Sequence, residues 1–177
     1  MSGKLNDYIV EYKGLQSGTY QIDYQLDKDF FSLFEDPEFQ DGKLNAKIKM
    51  SVFSYGLEFV FDISGTVKAE CDRCLELFDL PIKAHYNMKV RFSDKTTDPE
   101  EADEEITLST EEHEIDLKQH IYEFVVLSAP SRRVHPEDGC NPEILKAISG
   151  GDEEEENAEA ETDPRWDKLK DLLNIND

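Results

Sequence analysis

Between Leu44 and Phe92 apolar and polar residues alternate with a period of two, the pattern of extended strands that bury one face only. The even positions Leu44, Ala46, Ile48, Met50 and Val52 are apolar, while Lys43, Asn45, Lys47, Lys49 and Ser51 are polar. The odd positions then take over, through Leu57, Phe59, Phe61, Ile63, Val67, Ala69 and Cys71. A third run returns to even positions, from Phe78 through Leu80, Ile82, Ala84, Tyr86, Met88 and Val90 to Phe92. Runs this long, joined by Ser54-Tyr55-Gly56 and by Asp72-Arg73, predict an antiparallel meander with one face on the core. Tyr8 to Tyr12 and Gly18 to Tyr24 are expected to add one or two strands to the same sheet.

Helical signals are fewer. Asp116 is placed to cap a helix in which Leu117, Ile121, Phe124, Val125 and Ser128 share a face, with Pro130 beyond its end. This helix is expected to cover the open face of the sheet. A weaker helical turn is expected near Asp29 to Phe34, and a short helix from Asn141-Pro142 to Gly150-Gly151. Asp163-Pro164 repeats the start signal and opens a last amphipathic helix carrying Trp166, Leu169 and Leu173, which docks either on its own domain or in the groove of a partner protein. The fold class is therefore α+β: a curved antiparallel sheet or open barrel with a packed helix. Domain boundaries follow as 1–148 for the α+β domain, 149–163 for an acidic linker and 164–177 for the terminal helix.

The formal charge is −22. A polyanion repels phosphate, so the total argues against nucleic acid. Its distribution is uneven, however. Residues 98–105 hold six acids and no base and residues 152–163 hold eight and none, so two solvated segments carry 14 of the 22 excess charges. The body that remains is only mildly acidic. No apolar run reaches the roughly 18 to 20 residues of a membrane span, the N-terminus has no signal-peptide core, and three cysteines cannot all pair internally. A cytoplasmic protein without membrane contact is expected.

Cys71-Asp-Arg-Cys74 falls where one alternating run ends and the next begins, at a hairpin tip. A C-x2-C pair on a tight turn is half of a tetrahedral zinc site, and His135 and Cys140, on a Pro- and Gly-containing loop, supply the other half of a Cys3His set. Two other readings stand beside zinc: small buried cysteines with no ligand role, and a redox pair whose thiolate is favoured by Arg73. If the two segments meet, Arg73, Arg132 and Arg133 form a basic patch suited to phosphate or an acidic protein. His85, His113 and His120 read as surface residues. No Gly-rich phosphate loop, nucleophile elbow or His-Glu-x-x-His helix is present, so a non-enzymatic role without a small-molecule substrate is expected.

Gly65-Thr-Val-Lys-Ala-Glu-Cys-Asp-Arg-Cys-Leu75, followed by Glu114-Ile-Asp-Leu117, Leu127-Ser-Ala-Pro130, Val134-His135 and Cys140, resembles the YceD-like family of large ribosomal RNA subunit accumulation proteins over roughly residues 15 to 148. Asp163-Pro-Arg-Trp-Asp-Lys-Leu169 is similar to the tail of Bacteroidetes-type members. Many relatives carry several cysteines in the second segment, where this chain has only His135 and Cys140. The resemblance implies a role in ribosome assembly, with large-subunit ribosomal RNA or a ribosomal protein as partner, and supplies no catalytic residue. A metal- or thiol-dependent enzyme and a pure protein-protein adaptor are the alternatives.

Overall fold

The computed structural model describes residues 8–93, 105–136 and 139–149. The chain divides into two compact units, residues 1–135 and 136–177.

In the first unit the strands are β1 (Ile9–Glu11), β2 (Gly18–Leu26), β3 (Gly42–Phe53), β4 (Gly56–Glu70), β5 (Leu77–Phe92), β6 (Glu105–Leu108) and β7 (Glu114–Asp116). The helices are α1 (Lys28–Phe31) and α2 (Lys118–Leu127). The alternating runs are β3, β4 and β5, and they form the predicted meander. With β2 and β6 they make a curved, unclosed sheet in the order β2-β3-β4-β5-β6. Register is fixed by the pleat: Ile48 stands opposite Ile22 and Phe61, and Phe61 opposite Tyr86, so every apolar series lies on one face. In mid-β4 the backbone of Gly65 adopts φ +149°, and a Cβ there would run into the carbonyl of Lys43 on β3, so this close approach requires glycine.

Two expectations about the sheet are corrected. The Tyr8–Tyr12 run does not join it; β1 pairs with β7 in a separate two-stranded ribbon, Val10 opposite Ile115. The backbone of Tyr12 and Lys13 continues this pairing by donating to the carbonyl of His113. The last strand of the main sheet, β6, runs parallel to β5, so the sheet is not wholly antiparallel. A four-residue strand following an acidic run has too few alternating positions to announce itself in sequence.

α2 packs on the apolar face as expected. Leu117, Ile121 and Val125 are fully buried, and Phe124 stacks on Tyr86 at 4.4 Å and meets Phe61 edge-on at 4.9 Å. The Asp116 carboxylate accepts the Lys118 N–H at 2.8 Å, satisfying one of the donors left open at a helix start. α1 delivers Phe30 and Phe31 into the core, joined by Phe39 from the following loop. Burying each such ring contributes roughly 1.5–3 kcal/mol. In the second unit, α3 (Pro142–Ser149) begins where expected, with the Asn141 side chain accepting the Glu143 N–H at 3.0 Å. The acidic linker and the helix bearing Trp166, Leu169 and Leu173 lie outside the described residues.

Phe61 is fully buried between β4 and α2, so Phe61→Ala is expected to destabilise the chain by about 3–5 kcal/mol in urea unfolding. The exposed Gln25→Ala should stay within about 0.5 kcal/mol of the parent.

A candidate metal centre at the hairpin tip

The turn joining β4 to β5 begins at Cys71, which is buried, and closes through Cys71 N–H to the carbonyl of Glu76 at 3.0 Å and Leu75 N–H to the carbonyl of Cys71 at 2.8 Å. Leu75 takes φ +59°, the left-handed region, at a cost of about 1–2 kcal/mol for a residue with a Cβ. That conformation reverses the chain tightly enough for Cys71 and Cys74 to face one side. It also leaves Leu75 and Leu77 pointing outward, 74% and 66% exposed.

The segment after α2 returns to this turn and is fastened there. Asp72 N–H donates to the Arg133 carbonyl at 2.7 Å, and Arg133 N–H donates to the Asp72 carboxylate at 2.6 Å. Arg73 Nη2 donates to the His135 carbonyl at 3.3 Å. His135 Nδ1 then stands 3.4 Å from Cys74 Sγ, with its imidazole tilted against the Phe78 ring at 4.7 Å. The convergence expected from sequence therefore holds for Cys71, Cys74, Arg73, Arg133 and His135.

The arginines occupy three different environments. Arg133 binds Glu38 at 2.6 Å and lies over the Phe39 ring at 5.0 Å, so its charge is already matched inside the protein. Arg73 and Arg132 remain exposed. Glu38 and Phe39 belong to the structural anchor of the tip, and sequence reasoning missed both. They lie far upstream, and nothing in their local pattern announces a tertiary partner. Asp72 was passed over as a hairpin residue, although its place inside C-x2-C was the available signal.

The sulfur of Cys71 sits inside a set of donors. Burial pushes its thiol up, but the N–H groups of Cys74, Arg73 and His135 and the His135 side chain more than offset this, bringing it from 9.0 down to about 5. A thiolate is thus favoured where a metal ligand must be deprotonated. The donor atoms of Cys71, Cys74 and His135 lie within 4.8 Å of one another. Around one ion with metal–sulfur bonds of about 2.3 Å, tetrahedral neighbours stand about 3.8 Å apart, so only small movements separate this arrangement from a chelate. Cys140, the fourth member of the Cys3His set expected from sequence, is buried in the second unit just before α3. Soft thiolates with one imidazole suit zinc far better than calcium or magnesium. Cys71 and Cys74 are 0% and 2% exposed, so neither sulfur is presented at the surface.

The remaining histidines fit their surface reading only in part. His85 and His113 are exposed, His85 bound to Asp62 at 2.7 Å and His113 beside Lys13 at 3.3 Å. His120 is half-buried on α2.

In metal-free protein the ultraviolet absorbance of a thiolate is expected at neutral pH and should vanish as pH falls through about 5, and the Cys71→Ser variant should show no such transition near pH 5. Because the folded thiol titrates below its ordinary value of 9.0, the stability gained from its ionisation is complete above that value and is lost as pH falls through about 5.

No curated protein and no solved structure matches the chain. Residues 59–173, more than half of the sequence, match the family described as large ribosomal RNA subunit accumulation protein YceD. The match starts inside β4 and takes in the C-x2-C turn, α2, His135 and Cys140, and the segment with Trp166 and Leu169. With the motif-bearing tip, its supporting strand and its returning loop all inside the matched span, the chain belongs to the YceD family of large ribosomal RNA subunit accumulation proteins.

Proposed function

We propose that this chain is a non-enzymatic factor that supports accumulation of large-subunit ribosomal RNA in the cytosol, and that its hairpin tip, set by a structural zinc, docks on a ribosomal protein. Cys71, Cys74, His135 and Cys140 hold the ion. Cys140 follows His135 by only five residues, so the chain between them reaches at most about 18 Å and keeps the thiol close to its partners. Four protein ligands leave no open position, so the metal supplies rigidity and no activated water. Linking a hairpin to a loop about 60 residues away also removes loop-closure entropy from the unfolded chain.

The observation that carries this reading is the pair of hydrogen bonds between Asp72 and Arg133. It fixes the turn and the His135 segment before any metal arrives, and it leaves a small outward surface of Arg73, Leu75, Leu77 and Arg132. Two leucines more than half exposed beside arginines suit a protein surface with an apolar centre and acidic rim. Bare RNA would make little use of them. A thiol enzyme is the competing reading, favoured by the lowered Cys71 thiol, but the burial of that sulfur speaks against it.

Metal analysis of the purified protein is expected to give one zinc per chain, lost in Cys74→Ser. Asp72→Ala should keep all four ligands yet weaken zinc binding about 10- to 100-fold, because it removes the support and not a ligand. Affinity capture from cells should recover large-subunit ribosomal proteins after nuclease treatment, and Leu75→Asp with Leu77→Asp should abolish the recovery. Capture that depends wholly on intact RNA would contradict a protein partner at the tip.

A further inference from the structure

The solvent face of the five-stranded sheet differs in charge from the rest of the chain. Every position on it follows from the pleat, and from β3 and β5 it projects Lys43, Lys47, Lys49, Lys83, Lys89 and Arg91, all exposed. These belong to two strands flanking β4, so they form two basic rows separated by about 10 Å, twice the spacing between neighbouring strands. Acids are present on the same face, but the effective ones are few. Asp79 is bound by Lys68 at 2.8 Å, leaving Asp23, Glu58, Asp62 and Glu70, of which Asp62 lies 2.7 Å from His85. Lys43, Lys47, Lys49, Lys83 and Lys89 have no carboxylate within ion-pair distance among the described residues. A cationic face therefore survives on a chain whose formal charge is −22. Between the rows, β4 offers Val60, Asp62, Ser64 and Thr66, side chains shorter than the flanking lysines.

One end of this face carries an aromatic platform. Tyr55, in the β3–β4 turn, is 62% exposed and stacks on Phe53 at 5.3 Å with ring planes 11° apart. Its carbonyl accepts the Phe92 N–H at 3.1 Å, which ties the turn to β5. Tyr55, Glu58, Lys89 and Arg91 line a shallow depression of about 190 Å³ together with Leu57 and Val90. A rigid exposed ring beside two cations, opening onto rows of lysines, is the combination that holds a nucleic-acid strand without reading its sequence: bases stack and phosphates pair.

We infer that the outer face of β3–β5 is a binding surface for single-stranded RNA, with Lys47, Lys49, Lys83 and Lys89 meeting phosphates and Tyr55 stacking a base. The occupant is single-stranded because an open sheet face has no element to enter a duplex groove, while a protruding ring needs an unpaired base. This surface is separate from the hairpin tip, and it rests on the proposed role in ribosomal RNA accumulation for its biological sense. Attraction to phosphate here, opposed by the acidic segments at 98–105 and 152–163, makes the association weak and sensitive to salt.

The test is fluorescence anisotropy of the full chain with labelled oligouridylate and a duplex RNA of equal length, over a range of salt concentrations. The single strand should bind and the duplex should not. Lys49→Ala, Lys83→Ala and Lys89→Ala together should lower the slope of log affinity against log salt by about two, at about 0.7 per lost phosphate contact. Tyr55→Ala should weaken binding roughly five- to hundred-fold with little change in that slope. Equal metal content in parent and variants reports that the chain is still folded. Absence of binding, indifference to both sets of substitutions, or equal binding of polyglutamate would overturn the inference. Capture of ribosomal proteins through the tip is measured in parallel. If that capture stands while RNA binding fails, the sheet surface falls and the tip reading survives; if RNA binds and capture fails, the reverse holds.

Discussion

The two hydrogen bonds exchanged by Asp72 and Arg133 are the constraint on which the tip depends. They join a turn between two long strands to a segment 61 residues later in the chain, and Cys71, Cys74 and His135 each lie within two residues of this junction. Arg133 is held in turn by Glu38 and by the face of Phe39, a fully packed ring. The junction is therefore continuous with the core.

Burial and ionisation pull in opposite directions at Cys71, and which of them wins decides what the sulfur is for. An isolated thiol without solvent contact would stay protonated and inert. Here three backbone N–H groups and His135 converge on it and favour the thiolate despite burial. A nucleophile needs that ionisation together with access; a structural ligand needs ionisation and seclusion. Full burial of Cys71 and near-full burial of Cys74 match the second requirement.

How far these features could be read from sequence depended on whether they rest on local periodicity. β3, β4 and β5 were legible because twelve to sixteen residues of strict alternation leave no other solution, and their register then placed Cys71 at a strand end. α2 was legible from Leu117, Ile121 and Val125 at helical spacing. β1 was assigned to the wrong sheet because three residues do not specify a partner, and its true one, β7, is equally short. The meeting of Cys74 with His135 was readable from residue chemistry, since a C-x2-C turn wants further soft ligands. That Arg133 would face Glu38 and not solvent was not readable, because the contact depends on how the loop after α1 packs.

The described residues combine a cationic sheet face with a tip where arginine, leucine and thiol groups meet, on a chain whose acidic runs fall at 98–105 and 152–163 of the sequence. All of it presupposes that the distant segments converge on one ion. Zinc X-ray absorption of the purified protein tests this most directly. Three sulfurs at about 2.3 Å and one nitrogen at about 2.0–2.1 Å are expected; a shell of oxygens, or protein that carries no zinc and takes none up, would contradict the account.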